Sequence, residues 1–379
     1  MFARCTRPQL LRVNRPTHIR FDSSTPERTR KWKGSEDQLP FQQYYKSVAV
    51  LLGILSAVYA GYSLHTRQQY HDSFVKYELV KKEPVSASSS IFYLKPREAS
   101  KELDKYKDAW KSGIWNVQFK QPQLQIVRAY TPLPPIEAAN SDDPVFRFLI
   151  RHDPYGEVSS YLHKLRVGTD IEMRGPNLEY PIPKDVKQVV FMAGGTGIAP
   201  ALQVAHCMFD GRSRDESSET KRLHILWANR RREDCSGGIS DEIDGSTGKS
   251  SSWTDMFFGR TKLAEVIQAQ EKGTVVRELE ALKTRYPGQI TVEYYVNEES
   301  SMINEQAVAR ALSVFDDRFT GTADRAEQRQ VIISGPPGFI AYLAGPKEWR
   351  GGVEEQGVLA RLLAHALAKN PHNVKVWKV

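Results

Sequence analysis

The sequence predicts an antiparallel β-barrel followed by a parallel-sheet α/β domain, with a transmembrane helix near the N-terminus. Three observations in the 379 residues lead to this fold class: an uncharged apolar segment over 47–64, short β-rich runs from Ile91 onward, and apolar strands that alternate with helical stretches after Pro183. Short strands at close spacing are typical of antiparallel barrels, and strand–helix alternation is typical of parallel sheets with covered faces.

Composition excludes several classes of protein. Hydrophobic residues make up 40% of the chain, too many for a wholly disordered protein. The net charge of +8 is concentrated in residues 1–46, where ten Lys and Arg accompany four Asp and Glu. Because the remainder carries only about +2, the basic balance does not indicate a nucleic-acid partner. Cys5, Cys207 and Cys235 are too few for a disulfide framework or an iron–sulfur site. No metal site is expected, and redox chemistry requires a bound organic cofactor.

Residues 1–46 are predicted to be a mitochondrial presequence and a basic matrix segment. The first twenty residues contain five arginines and no acidic residue, a composition that a membrane potential draws towards the matrix. The alternative is a disordered basic tail, which has no reason to exclude Asp and Glu.

A single membrane span is predicted over 47–66. Its core has eighteen residues without a charge, and at 1.5 Å per residue a helix of this length extends ~27 Å, close to the thickness of a hydrocarbon core. The alternative, a buried helix of a soluble domain, is weakened because the segment is apolar all round. Basic residues before the span place that end in the matrix and the following domains in the intermembrane space, with an outer-membrane anchor as the alternative.

The rest of the chain divides into three predicted segments. Residues 67–86 are polar and run into a low-complexity Ser-rich stretch, which predicts a stalk. The barrel is expected over 87–183 and the α/β domain over 184–379. A stretch rich in Gly, Ser and Asp predicts a flexible insertion over 235–272 within the α/β domain.

Two motifs of the predicted barrel carry groups that suit a nucleotide-type ligand. RAYTP places Arg128, Tyr130 and Thr131 after a strand. An arginine can grip a pyrophosphate, a tyrosine ring can lie against a flat heterocycle, and a threonine hydroxyl can bond a ring nitrogen. GEVSSYL places Gly156 and Ser159 at the start of a short helix, whose free amides suit phosphate oxygens. An ordinary N-capped helix is the alternative interpretation of this second motif.

Two further motifs stand at strand ends of the α/β domain. GGTGIAP begins at Gly194, ends an apolar strand and opens a helix, so its backbone amides can approach a dinucleotide pyrophosphate closely. Pro200 stands where the common Rossmann pattern has a third glycine, and a purely structural turn is the alternative. SGPPGF begins at Ser334, at the carboxyl end of the last predicted parallel strand, where open α/β sheets bind ligands.

Together these motifs resemble those of the flavoprotein pyridine-nucleotide reductases of the ferredoxin-reductase type, and most closely those of NADH-cytochrome b5 reductases. The resemblance covers about residues 87–345. It implies that FAD is held by residues of the barrel: Arg128, Tyr130, Thr131, Leu149, Arg151, Gly156, Val158 and Ser159. It implies that the nicotinamide nucleotide lies against the motifs of the α/β domain: Gly194, Gly195, Thr196, Gly197, Pro200, Gly335, Pro336, Pro337 and Phe339.

The resemblance also implies a reaction. Hydride passes from the nicotinamide to flavin N5 and electrons then leave for an acceptor, with Thr131, Thr196 and Ser334 assigned to the catalytic centre. Two positions depart from the family, because Ser334 stands where a cysteine is usual and Glu157 stands where a basic residue is frequent. The first departure is expected to slow hydride transfer, and the second removes a counter-charge of the FAD phosphates.

Coenzyme choice depends on the residues after the apolar run 223–228. By resemblance, Asp234 aligns with an acid that favours NADH because it opposes a 2′-phosphate. Arg230, Arg231 and Arg232 could instead bind that phosphate, or they could form a solvated turn. NADH is therefore the expected coenzyme, with NADPH left open.

The long C-terminal tail, the presequence and the single span further resemble the fungal mitochondrial cytochrome c import factors, which are inner-membrane flavoproteins that assist haem attachment. This branch implies that electrons are delivered to haem or a haem protein, such as cytochrome c or its haem-attachment machinery. Two alternatives stay open. One is a membrane-tethered NADH-cytochrome b5 reductase, and the other is an assembly scaffold that retains FAD with little turnover.

Overall fold

The computed structural model describes nine segments of the chain: 73–97, 104–136, 145–210, 221–241, 271–313, 328–350, 353–356, 359–369 and 374–379. All of them belong to one compact unit, His65–Val379. The predicted presequence, the predicted span and the greater part of the predicted insertion lie outside these segments. Within the described segments, no helix is both long enough and apolar enough to cross a membrane.

The first sheet consists of seven antiparallel strands. They are β1 (Val75–Pro84), β2 (Ser89–Pro96), β3 (Gly113–Gln121), β4 (Ile126–Tyr130), β5 (Pro132–Leu133), β6 (Phe146–Arg151) and β7 (Asp170–Pro181). Their order across the sheet is β4-β3-β7-β1-β2-β6-β5.

Alternating side chains bury one face of this sheet. On β1, Tyr77 and Leu79 are completely buried whereas Lys76 is exposed, which is the period of two expected of a strand with one face in a core. Aromatic side chains of the neighbouring strands complete the core: Phe92, Trp115, Phe119, Phe146 and Phe148. An antiparallel sheet with one apolar face confirms the predicted antiparallel domain.

The predicted stalk over 67–86 is corrected in its second half, because Val75–Pro84 forms β1. This strand pairs with β2 on one side and β7 on the other, and the Ser-rich run forms the turn between β1 and β2. The alternation of apolar with charged residues on β1 is a strand signal. The high polarity of the segment as a whole obscures it.

Two helices pack against the first sheet, α1 (Asp104–Ser112) and α2 (Glu157–Lys164). Tyr106 of α1 is buried and makes an edge-to-face contact with Phe146, with ring centroids 4.6 Å apart. Val158 and Leu162 of α2 are buried in the same core. The first turn of α2, which carries the GEVSSYL motif, is therefore held in place by the apolar side of its own helix.

The second sheet consists of five parallel strands. They are β8 (Gln188–Gly194), β9 (Arg222–Asn229), β10 (Ile290–Val296), β11 (Arg329–Ser334) and β14 (Lys375–Lys378). Between β11 and β14 the chain forms a separate antiparallel hairpin of β12 (Glu348–Arg350) and β13 (Val353–Glu355). Their order is β10-β9-β8-β11-β14. Every residue of β8 is buried, as expected of a parallel strand covered on both faces. The parallel sheet confirms the predicted α/β domain.

Helices cover both faces of the parallel sheet. They are α3 (Ile198–Ala205), which continues as a π-helical turn (His206–Asp210), α4 (Thr274–Arg285), α5 (Glu305–Leu312), α6 (Pro337–Ala344) and α7 (Arg361–Lys369). One face packs against α3 and α4, and the other packs against α5, α6 and α7. Short 3₁₀ turns follow β8, β9 and β10, at Gly195–Gly197, Arg232–Cys235 and Asn297–Glu299.

The C-terminal tail adds an edge strand to the parallel sheet. β14 pairs with β11 from Lys375 opposite Gln330 to Lys378 opposite Ile333. Trp377 also stacks on Tyr180 of β7, with ring centroids 4.6 Å apart. The C-terminal tail thus contacts both sheets.

The start of the predicted insertion 235–272 is packed rather than flexible. Cys235 is completely buried, and Asp241 accepts hydrogen bonds from Lys283 Nζ at 2.6 Å and from the Val292 amide at 2.9 Å. The prediction of flexibility is therefore corrected for residues 235–241, whereas 242–270 lie outside the described residues.

Candidate functional site

The glycine loop joins β8 to α3 through a single 3₁₀ turn. Gly195 has a φ of +55°, in the left-handed region that favours glycine. Its carbonyl accepts a hydrogen bond from the indole Nε1 of Trp227 at 2.9 Å. The end of β9 therefore fixes the conformation of the loop, and Thr196 is held half-buried at its centre.

The glycine loop packs directly against the SGPPGF turn after β11. A Cβ atom on Gly197 would stand 2.3 Å from the carbonyl oxygen of Ser334, and a Cβ atom on Gly194 would stand 2.8 Å from the Phe339 ring. Neither position accepts a side chain, because the protein itself fills the space. The sequence predicts that Gly194 and Gly197 approach a pyrophosphate. In the structure, both are required for the contact between the glycine loop and the SGPPGF turn.

A narrow cleft lies where the first sheet meets the carboxyl ends of β8 and β9. Five predicted site residues line it: Leu149, Arg151, Gly195, Thr196 and Asp234. Four further residues complete the lining: Val85, Ser89, Trp227 and Asn229. Residues from both halves of the chain therefore converge on one cleft.

Asn229 brings an unsatisfied polar group to the cleft. The residue is 4% exposed, and neither its amide nitrogen nor its amide oxygen has a hydrogen-bond partner among the described residues. Burial raises the pKa of the neighbouring Cys235 thiol to about 11. Because buried polar groups are normally paired, this carboxamide is the group of the cleft lining that most needs a polar partner.

The turn between β1 and β2 reaches the same cleft. The Ser86 hydroxyl donates to Asp234 Oδ1 at 2.6 Å, and the Ala87 amide donates to Glu233 Oε2 at 3.3 Å. Asp234, predicted as a coenzyme-contacting acid, is thus tied to the first sheet. These contacts join residues almost 150 positions apart, and local sequence patterns carry no signal for them.

Tyr130 lies at the end of β4 with one side of its ring supported by the core. The ring stacks on Phe119, with centroids 5.0 Å apart and planes inclined by 27°. Burial raises the pKa of Tyr130 to about 12, so its phenol is neutral at physiological pH.

A buried glutamine anchors the chain beside Thr131. Gln203 of α3 donates through Nε2 to the Pro132 carbonyl at 3.0 Å and accepts through Oε1 from the Trp115 amide at 3.0 Å. The residue after Thr131 is therefore connected to the helix that follows the glycine loop. Motif analysis misses Gln203, although a glutamine inside the apolar stretch IAPALQVA is a signal that could have found it.

Arg128 and Glu157 form an ion pair at the start of α2. Arg128 Nη2 and Glu157 Oε2 are 3.8 Å apart, and the two side chains are 58% and 48% exposed. Gly156 precedes the helix and supplies no side-chain cap. The Ser159 hydroxyl turns inward to the backbone of Asp153. The Ser159 hydroxyl is therefore engaged by backbone groups in this structure, whereas the Arg128 guanidinium and the first-turn amides of α2 stay as predicted phosphate-binding groups.

The other predicted residues occupy supporting positions. Ser334 is 5% exposed at the end of β11, opposite Ala193 of β8. Pro200 is buried in the first turn of α3, and Pro337 begins α6. Neither Ser334 nor Pro200 is among the residues that line the described cleft.

A larger cleft lies beside the contact between α4 and the first sheet. It is bordered by an ion pair in which Arg147 Nη1 and Nη2 contact the Glu278 carboxylate at 2.5 and 3.1 Å. None of the motif residues lines it. The candidate site is therefore the smaller cleft, where predicted residues and the unpaired Asn229 carboxamide coincide.

The available groups suit FAD. Arg128 offers a guanidinium and α2 offers free amides for a pyrophosphate, while Tyr130 offers a supported aromatic surface. Asn229 adds an unpaired buried carboxamide to the lining of the cleft, whereas Arg128 and Tyr130 are not among its lining residues. This is the chemistry that a flat, polar-edged ring joined to a pyrophosphate requires.

Comparison with known proteins agrees with this assignment. Residues 76–181 match the family described as oxidoreductase FAD-binding domain. The chain is 36% identical to NADH-cytochrome b5 reductase 1 of Coccidioides immitis over 107 residues, which are 28% of this chain and 33% of that protein. It is 33% identical to NADH-cytochrome b5 reductase 1 of Ajellomyces capsulatus over 122 residues, which are 32% of this chain and 37% of that protein.

Among solved structures, the chain is similar to the cytochrome b5 reductase domain of Ulva prolifera nitrate reductase. The similarity has a TM-score of 0.49 and 18% identity, over 82% of this chain and 98% of that chain. The sequence matches span about a third of the length of the two curated relatives. The family match runs from β1 to β7 and confirms the predicted FAD-binding domain, and the curated matches confirm the resemblance to NADH-cytochrome b5 reductases.

Proposed function

We propose that this chain is an FAD-dependent NADH oxidoreductase of the mitochondrial inner membrane. In this proposal its domains face the intermembrane space, where they deliver electrons to haem or a haem protein and support haem attachment to cytochrome c. The cleft that joins the FAD-binding domain to the glycine loop carries the oxidoreductase part of the proposal. The predicted presequence and the predicted span over 47–66 support the location.

The chain's own residues position the reacting groups. When bound, FAD supplies a ring that accepts hydride and releases electrons one at a time. Arg128 and the first-turn amides of α2 bind its pyrophosphate, and Tyr130 supports its ring. Thr131 and Thr196 orient the ring and the nicotinamide from the two halves of the chain. Protein side chains are not required as nucleophiles.

The charges after β9 and β10 favour NADH over NADPH. Arg232, which could have bound a 2′-phosphate, donates from Nε and Nη2 to the Glu299 carboxylate, and its amide donates to Glu298. Arg231 contacts Glu233 at 3.2 Å. Two of the three arginines thus already face carboxylates, and these acids repel a 2′-phosphate. Glu298 and Glu299 were not among the residues singled out by motif analysis.

The proposal is tested with the full-length chain purified in detergent. We expect bound FAD in its absorption spectrum and bleaching of the flavin band when NADH is added without oxygen, with NADPH slower. Addition of ferric haem, cytochrome c or cytochrome b5 should then restore the band and identify the acceptor. Colourless protein that does not take up FAD would refute the proposal. Yellow protein that neither coenzyme reduces would instead support the assembly scaffold.

The location has its own test. In intact mitochondria, the C-terminal domains should resist added protease and become sensitive when the outer membrane is ruptured. Digestion in intact mitochondria would contradict the inner-membrane topology and favour a b5 reductase tethered to the outer surface.

A further inference from the structure

Glu157 stands beside Arg128 where the FAD pyrophosphate is proposed to bind, and its charge is opposite to the one that a phosphate needs. Arg128 Nη2 lies 3.8 Å from Glu157 Oε2, and Arg128 Nη1 donates to the Val127 carbonyl at 3.0 Å. The guanidinium therefore already engages two acceptors of the chain.

We infer that Glu157 competes with the FAD pyrophosphate for Arg128 and so makes FAD a readily exchangeable cofactor of this chain. The inference rests on the proposed function, because it concerns the same flavin site. The two side chains are about half exposed, so they can separate without uncovering buried surface. An exposed ion pair is weak and an arginine–phosphate contact is strong, so FAD displaces Glu157 from Arg128.

The displaced carboxylate stays near the phosphates after FAD has bound. Glu157 is the first residue of α2, and the burial of Val158 and Leu162 fixes the position of that helix turn. The carboxylate can rotate away, but its Cα atom cannot. Because the positive end of the helix dipole favours any negative charge, Glu157 and the pyrophosphate compete for the helix terminus as well as for Arg128. The result is repulsion in the bound state.

A thermodynamic cycle separates this competition from a general charge effect. FAD is titrated into full-length apoprotein, and binding is followed by the change in flavin fluorescence for the wild type, Glu157→Gln, Arg128→Gln and the double variant. We expect Glu157→Gln to lower the FAD dissociation constant about three- to tenfold, as for loss of one close like charge. In the Arg128→Gln background the gain should be smaller, because the competition for Arg128 has been removed and only the repulsion at the helix terminus remains.

Kinetics and salt provide independent readouts. Glu157→Gln should slow the release of FAD when the loaded protein is diluted into flavin-free buffer. The rise in free-flavin fluorescence after dilution measures this rate. Added salt should weaken FAD binding by Glu157→Gln more than by the wild type, since Glu157 cancels part of the attraction that salt screens.

The matched control is Glu78→Gln on the same sheet. Glu78 Oε2 pairs with Arg97 Nη1 at 2.8 Å, so the variant breaks a comparable exposed ion pair away from the flavin site. Its FAD affinity should equal that of the wild type.

An unchanged dissociation constant in Glu157→Gln, or an equal gain with Arg128 replaced, would overturn this inference while FAD binding stands. Failure of every variant to bind FAD would overturn the proposed function together with it.

Discussion

Gly197 is the residue at which the glycine loop comes closest to the end of β11. A Cβ atom there would stand 2.3 Å from the Ser334 oxygen and 2.7 Å from its carbonyl carbon, and neither backbone atom can move like a flexible side chain. We expect Gly197→Ala to lower the free energy of unfolding by about 2–4 kcal/mol and to impair NADH-dependent flavin reduction. Urea denaturation and anaerobic reduction of the FAD-loaded protein measure the two effects.

Gly338 provides the matched control in the neighbouring motif. It lies in the first turn of α6, and a Cβ atom there would meet nothing within 4 Å. Since alanine is also the better helix former, Gly338→Ala should leave stability unchanged or raise it by up to about 1 kcal/mol. If both variants lost the same stability, tight packing at Gly197 would not be the cause.

Local patterns identify some residues of the candidate site and miss others for a physical reason. Thr196 is predictable because glycines after an apolar strand mark a strand end, and its place in the cleft follows from the parallel sheet. Ser86 and Gln203 act through contacts with distant segments, and these contacts depend on how the two halves dock. Docking is a property of the folded chain that no short motif encodes.

At the scale of elements, β6 and α4 are joined by a buried ion pair. The Arg147 side chain is 5% exposed, contacts Glu278 through two nitrogens, and donates from Nη2 to the Pro134 carbonyl at 2.6 Å. Arg147→Ala removes these hydrogen bonds and leaves the Glu278 carboxylate, which is 20% exposed, without its partner, so the free energy of unfolding should fall by about 2–3 kcal/mol. Urea denaturation of the purified chain provides the measurement.

Arg97 offers the comparison for this ion pair. It also contacts two acids, Glu78 and Asp170, but its side chain is 48% exposed. Exposed ion pairs contribute little, so Arg97→Ala should cost no more than about 1 kcal/mol. Equal losses for the two arginine variants would show that burial of Arg147 does not matter.

The predicted and observed elements differ mainly at the two ends of the described fold. The central strands of the parallel sheet are predictable because they contain runs without a polar side chain, such as VVFMAG in β8. β1 carries three Lys residues and β14 carries two, so overall polarity conceals their alternation. β1 lies in the middle of its sheet and β14 at an edge, and their pairing with β7 and β11 depends on segments far away in the chain.

At the scale of the whole molecule, two carboxylates connect separate parts of the fold. Glu83 of β1 accepts hydrogen bonds from Lys81 at 2.7 Å and from Thr274 of α4 at 2.7 Å, which joins the two halves. The hydrogen bonds from Lys81 and Thr274 lower the pKa of Glu83 to about 2. Protonation of Glu83 at low pH therefore weakens a contact between the two halves.

Glu293 holds the second connection, inside the α/β half. Its carboxylate accepts from Arg310 of α5 at 2.7 Å and contacts His224 Nε2 of β9 at 3.0 Å. Burial alone would raise the pKa of Glu293, but hydrogen bonds with His224, Arg310 and Tyr295 outweigh burial and lower the pKa to about 2. The two carboxylates thus respond to acid in the same range.

Their lowered pKa values predict how stability depends on pH. A carboxyl group whose pKa is lower in the folded chain contributes stability above its unfolded pKa, about 4.3, and that contribution disappears as the pH falls through the folded pKa near 2. We expect the free energy of unfolding, measured with urea, to fall steadily between about pH 5 and pH 2. Glu293→Gln should lose of the order of 2 kcal/mol of stability at neutral pH and much less near pH 2, which flattens the profile.

The control is Glu271→Gln. The Glu271 side chain is 93% exposed, so this variant should retain the wild-type slope. Parallel profiles for Glu293→Gln and the wild type would show that this carboxylate does not couple protonation to folding.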